Sequence, residues 1–330
     1  MSYKIAQAPF LRRGERGALM STDVLIALVP LCVFTSAYYG LRPVFLVLTG
    51  LTTAVLAEAF GCLLMKRRPT VSDGSAAVTG AIIGMLVSPL SPYWLPAAGA
   101  IFAIVAVKLP MGGSGRNLFN PAAAGIAAIS LCFPGFFFNY PDPGLGRPLP
   151  LGEIAMSGIP SPASQLASGG QPLYSPVMLL LGDFPGPIGA TAVAILLACG
   201  LYLFVRRSLS AHITLSFLAS CAVIAALFPR ASGASAGSVM VELCSGYLLF
   251  CGIFMLNDPV TAPRHWLGRI AYGIFAGVLV MLMRFFGRFE EGAAFAVLLV
   301  NAFSTTLDHL GWYVLNLKRI KRIRERRHSQ

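Results

Sequence analysis

Ten apolar segments take up most of this 330-residue chain: 22–40, 42–64, 75–90, 93–109, 120–133, 187–205, 212–229, 239–256, 268–286 and 292–317. About 20 apolar residues cross a bilayer as one helix, and fewer suffice where the helix is broken. Backbone at lipid depth must satisfy its own hydrogen bonds, so runs of this length read as helices. Composition agrees: 56% of residues are hydrophobic and 12% are charged. A soluble domain carries about 25% charged residues. Soluble enzymes and disordered chains are both excluded on these grounds. The expected fold is an all-α polytopic membrane protein of about ten transmembrane helices.

Basic residues give that bundle an orientation. With the N-terminus inside, 20 of the 25 Lys and Arg fall on the inner side. The five outer ones are Arg42, Arg147, Arg230, Arg284 and Arg288. This bias predicts both termini on the cytoplasmic side and an even number of spans. It reads the net charge of +12 as topology rather than as a nucleic-acid footprint. The expected divisions are a cytoplasmic segment 1–21, a first five-helix unit 22–133, an outer loop 134–186, a second five-helix unit 187–317 and a basic tail 318–330. No cleavable signal peptide is expected at the start. Seven scattered cysteines without a CxxC pattern read as small buried hydrophobes, and no metal site is expected.

A weak internal repeat runs through the chain. Val78-Thr79-Gly80-Ala81-Ile82-Ile83 leads to Ser91-Pro92, and Cys244-Ser245-Gly246-Tyr247-Leu248-Leu249 leads to Asp258-Pro259. Gly115-Arg116 precedes Pro121-Ala122-Ala123 as Gly287-Arg288 precedes Gly292-Ala293-Ala294. Five spans per unit would invert one unit against the other. Inverted repeats with interrupted helices place binding sites where the units meet.

The most pointed local motif is Gly112-Gly113-Ser114-Gly115-Arg116-Asn117-Leu118-Phe119-Asn120-Pro121-Ala122. Its glycines allow close backbone approach to a ligand. Asn120 suits an N-cap and Pro121 a first helical turn. The amides of Asn117 and Asn120 could bind the carbonyl and imide groups of a polar heterocycle; a capped tight turn explains the same residues. Leu118 and the lack of a preceding strand exclude a dinucleotide-binding fingerprint. In Met255–Pro263, Asn257-Asp258-Pro259 either stops a helix or faces a site. Glu58, Glu242 and Asp308 fall in or near apolar runs, where a carboxylate is by default a functional candidate. Together with Asp258 they form a set of ion-path candidates, the alternative for each being a local charge partner. Arg284 and Glu290-Glu291 read as solvated rim charges. From these features alone a channel or secondary transporter without a redox cofactor is a full alternative.

Several motifs resemble one family along roughly residues 20–315. They are Ser72-Asp73-Gly74, the GGSGRNLFNPAAAG stretch, LLLGDFPGPIG at Leu179–Gly189, FMLNDPVTAP and GRFEEGAAFAVLLVNA. The family is the D subunit of the Rnf ion-translocating ferredoxin:NAD oxidoreductase. The related B subunit of the sodium-translocating NADH:quinone reductase shares the FNPA and DPV elements. The resemblance implies a flavoprotein of the bacterial inner membrane with two cofactors. An FMN is esterified to a Thr in an outer-face Ser-Gly-Ala-Thr motif. A riboflavin is held noncovalently near the inner face, which assigns Gly115, Asn117, Asn120 and Pro121 to that flavin. Implied partners are other membrane and peripheral subunits carrying flavin and iron–sulfur centres, plus lipid, with electron transfer coupled to Na⁺ or H⁺ movement. The chain departs from the family at the attachment motif. Ser157-Gly158 match, but Ile159-Pro160 replace Ala-Thr, and no Thr occurs between Leu131 and Ala190. Ser161, which precedes Pro162, is the nearest replacement oxygen. Because Pro160 fixes the backbone there, FMN is expected to bind without a covalent link.

Overall fold

A computed structural model describes residues 13–66, 71–113, 115–145, 148–152, 158–170, 174–230 and 235–328. The described residues form helices joined by turns, with one isolated bridge between Tyr140 and Ile159. In chain order the helices are α1 (Arg13–Tyr39), α2 (Arg42–Leu64), α3 (Ser75–Leu86), α4 (Trp94–Lys108), α5 (Pro121–Cys132), α6 (Pro134–Phe137), α7 (Pro162–Ala167), α8 (Pro176–Leu181), α9 (Val193–Val205), α10 (Ala211–Leu227), α11 (Ser235–Cys244), α12 (Leu248–Met255), α13 (Trp266–Phe286) and α14 (Ala293–His328). Each of the ten apolar segments holds helix, and the eighth is split into α11 and α12, bent by 66°.

Four stretches are long and apolar enough to cross a membrane: Gly17–Tyr39, Arg42–Leu64, Trp266–Phe286 and Ala293–Val314. The α11–α12 pair makes a fifth if counted as one bent span. The chain is therefore an all-helical, multi-pass membrane protein among its described residues. Helices α3, α4, α5, α9 and α10 are apolar but shorter. At 1.5 Å per residue, the 12 residues of α3 reach about 18 Å, well short of a ~30 Å hydrocarbon core.

Small residues set the tightest packing. A Cβ on Gly80 would lie 2.2 Å from the Gly50 carbonyl oxygen, so α3 and α2 meet backbone to backbone. Gly273 and Gly277 do the same for α13 against α10. In lipid, apolar surface gains little by leaving one oily phase for another, so close van der Waals contact at small residues carries the association. Large apolar side chains such as Leu56, Phe60, Leu63 and Leu201 stay exposed on the outer surface of the bundle, where lipid is their solvent.

Broken helices need their freed carbonyls satisfied. Between α3 and α4, Arg42 does this. It is 2% exposed and donates to Pro89 O at 2.9 Å and Ser91 O at 3.0 Å. It also donates to the carbonyls of Pro150, Leu151 and Gly152. The N–H groups of Ile188 and Gly189 satisfy Val87 and Met85 on the same side. Asp23 of α1 accepts from Arg206 Nε at 3.0 Å and Ser208 Oγ at 2.7 Å, tying α1 to the end of α9.

Candidate functional site

Two clusters of polar side chains lie at the ends of these helices. The first surrounds the glycine-rich turn. Helix α4 widens into π geometry over Phe102–Lys108, with Leu109 N donating to Ile104 O. Helix α12 ends the same way, with Leu256 N donating to Cys251 O. Such π turns recur at functional sites. Gly112, Gly113 and Gly115 follow α4, all with positive φ. Nothing lies within 4 Å of a Cβ built on Gly113 or Gly115, so the turn borders open space.

Asn120 caps α5 as its sequence context implies. Its Oδ1 accepts from the Ala122 and Ala123 N–H groups at 2.9 and 3.2 Å. Its Nδ2 donates to Met255 O at 2.9 Å. The FNPA and LNDP motifs, 135 residues apart, therefore meet through one amide. That amide is fully engaged in structure. Asn117 differs: it is buried, and its Oδ1 has no hydrogen-bond partner among the described residues. Pro121 is buried at the first turn of α5, and Gly115 is exposed. Asn257 accepts from Ser210 N and donates to Thr214 Oγ1 and Gly252 O, closing the end of α12.

The ion-path candidates all have protein partners. Glu58 lies 2.8 Å from Lys108 Nζ, both fully buried. Lys108 also donates to Ser75 Oγ at 2.6 Å, and Ser75 donates to Asp73 Oδ1 at 2.6 Å. Asp258 accepts from Val260 N and Thr261 Oγ1 at 3.2 Å each. Burial pushes its carboxyl up, offset in part by those hydrogen bonds and by the Lys108 charge. Asp308 accepts from the Arg264 and His265 N–H groups at 2.9 and 2.7 Å, covering the start of α13.

The second cluster corrects the expectation of solvated rim charges. Arg284 and Glu291 are 2% and 1% exposed. Arg230 grips Glu242 with two hydrogen bonds of 2.6 and 2.9 Å. Arg284 contacts Glu291 and Glu242 and donates to the Glu242 and Ser245 carbonyls at 2.6 and 2.7 Å. Glu291 in turn accepts from Tyr247 N and Ala293 N. Arg284 thus serves the break between α11 and α12 as Arg42 serves the one between α3 and α4. Two cations and two anions balance here. No simple sequence signal announces it, beyond charges placed at the edges of apolar runs.

Glu290 sits beside this network, partly covered, and accepts from Ser161 Oγ at 2.8 Å. Ser161 is buried and also caps α7 by accepting from Ser164 N. Gly158 N donates to Asn139 Oδ1 at 2.6 Å; Ser157 lies outside the described residues. Burial pushes the Glu290 carboxyl up to about 7, against opposing hydrogen bonds from Ser161 and Tyr140. A carboxyl raised above its unfolded value stabilises the fold fully below pH ~4.5. That contribution is lost as pH rises through about 7. The connection between α7 and the α13–α14 turn should therefore loosen between about pH 5 and 8. Glu290→Gln should flatten that dependence, read as proteolysis of the 158–170 stretch against pH; an unchanged profile would remove Glu290 as its cause.

A sequence profile described as the NQR2, RnfD, RnfE family matches residues 4–312. The D subunit of the ion-translocating oxidoreductase complex of Halorhodospira halophila is 32% identical over 333 residues, covering 93% of each chain. The protein of the same name from Aliivibrio salmonicida is 31% identical, over 94% of this chain and 97% of its own. The D subunit of the proton-translocating ferredoxin:NAD(+) oxidoreductase complex of Clostridium ljungdahlii is 29% identical over 93% of each.

Proposed function

The chain belongs to the NQR2, RnfD, RnfE family, and from that premise we propose that it is the flavin-carrying membrane subunit of an Rnf-type complex. In this reading, electron transfer between ferredoxin and NAD(H) is coupled to Na⁺ or H⁺ translocation. The chain works only with partner subunits carrying further flavins and iron–sulfur centres. It sits in a bacterial inner membrane as ten helices in two inverted five-helix repeats, both termini cytoplasmic. The charge bias supports this orientation more strongly once structural cations are set aside. Arg42, Arg230 and Arg284 outside and Lys108 and Arg206 inside have buried or paired roles, which leaves Arg147 and Arg288 as outer cations against 18 of the 20 inner ones.

Asn117 is the observation that carries the flavin reading. A buried amide oxygen without a partner costs about 1–3 kcal/mol, so a ligand that donates to it is favoured. The imide N–H of a flavin is such a donor, and the space beside Gly113 and Gly115 leaves backbone there open to a ligand. A bound flavin supplies one- and two-electron redox chemistry, while the protein positions it and sets its potential. The outer loop does not fit a phosphoester at Ser161. The Ser161 oxygen is buried, caps α7 and donates to Glu290. In this reading FMN is held without a covalent bond.

Denaturing extraction of the purified complex tests both points. Wild type should release FMN and riboflavin and leave this chain dark on an illuminated gel. Asn117→Ala should lower riboflavin affinity by about 5- to 150-fold. Asn120→Ala should instead lower stability by ~1 kcal/mol through the lost cap. Unchanged riboflavin in Asn117→Ala moves the site elsewhere. A fluorescent band lost in Ser161→Ala establishes a serine ester. A flavin-free wild-type chain returns the reading to a transporter.

A further inference from the structure

A groove of about 490 Å³ runs where the end of α5 meets the α13–α14 connection and the first turns of α14. Its walls are Leu131, Met283, Phe295, Leu298 and Leu299, and its one charged lining residue is Arg288. Phe289 completes one wall, held between Phe138 and Phe295 in a ladder of near-parallel rings 5.7 and 6.5 Å apart.

The groove opens on the lipid-facing surface. Leu131 and Leu299 are 59% and 44% exposed. Beside Leu131, the exposed rings of Trp94, Phe133 and Phe136 pack edge to face at 4.9 and 5.6 Å. An exposed Trp such as Trp94 marks the boundary between hydrocarbon and headgroups. Arg288 is exposed there, and no carboxylate pairs with it among the described residues. Its neighbours Glu290 and Glu291 are directed to Ser161 and Arg284 instead.

We propose that this groove is a binding site for one anionic phospholipid, with an acyl chain along the Leu131–Leu299 wall and the phosphate on Arg288. The chemistry of the lining selects that occupant. A flavin or quinone ring carries several carbonyl acceptors, and the groove offers them no side-chain donor besides Arg288. An acyl chain needs no donor, and its headgroup supplies the one charge that Arg288 lacks. A guanidinium at the headgroup level pairs well with a phosphate oxygen. The site rests on the chain lying in a bilayer and not on the flavin reading.

The intact complex in mild detergent, offered dioleoylphosphatidylglycerol or dioleoylphosphatidylcholine, is the material for the test. Native mass spectrometry should show one phosphatidylglycerol retained about tenfold over phosphatidylcholine. Arg288→Glu should abolish that preference. Leu131→Trp fills the groove from a lipid-exposed position and should lower retention of both lipids. Flavin content should be unchanged in both variants, which separates failure here from failure of the flavin reading. Equal retention of the two lipids by wild type overturns the proposal, as does undiminished retention in Leu131→Trp. A photo-crosslinker at Leu299 that captures a protein subunit in place of lipid also overturns it.

Discussion

Arg284→Met should leave almost no folded chain in the membrane fraction. The substitution keeps the apolar stem and removes the guanidinium. Glu242 retains Arg230, but Glu291 loses its cation while staying fully buried. The carbonyls of Glu242 and Ser245 lose the Arg284 guanidinium as donor at the break between α11 and α12. Removing one partner of a buried pair costs about 3–5 kcal/mol, because the remaining charge has no water to return to. That is a large part of the total stability of an ordinary domain. Fluorescence-detected size exclusion of the solubilised chain should show loss of the monodisperse peak. Arg284→Met combined with Glu291→Gln should recover part of it, since the orphan charge is then gone. Equal loss in the single and double variants would mean that the carbonyl contacts, not the charge pair, hold the break.

The helices were legible because apolar run length and Pro or Gly punctuation carry that information locally. The capping of α5 by Asn120 was readable for the same reason, since Asn-Pro-Ala states it within three residues. The split of the eighth segment was not. Gly246 takes φ of +61° there, yet its neighbours read as a continuous apolar run. Long-range partners were hidden more completely. Ser161 and Glu290 lie 129 residues apart, and Asn120 and Met255 lie 135 apart. A carboxylate within an apolar run announces that something must compensate it. Whether the compensation is a moving ion or an arginine depends on which helix lies opposite. Glu242 and Asp308 show the outcome: one is gripped by two arginines, the other by two backbone N–H groups.

Glu58 allows the structural and ion-conducting roles to be separated by experiment. Lys108→Met should destabilise the chain by about 3–5 kcal/mol, because Glu58 is left charged and fully buried. The lysine joins three elements: Glu58 on α2, Ser75 at the start of α3, and its own α4. Its carbonyl also receives Gly113 N, so the same residue anchors the glycine-rich turn beside Asn117. Neutralising both partners removes the stranded charge while keeping similar volumes. Glu58→Met with Lys108→Met should therefore fold nearly as well as wild type, since a buried pair and its apolar replacement are often close in free energy. If Glu58 only anchors Lys108, the double variant assembled into the complex should still generate an ion gradient in proteoliposomes when reduced ferredoxin is oxidised by NAD⁺. If Glu58 carries the ion, that variant should fold and pass electrons without building a gradient. The geometry favours the first result: Lys108 already supplies the counter-charge at 2.8 Å, and a passing cation would have to displace a buried ammonium to take its place.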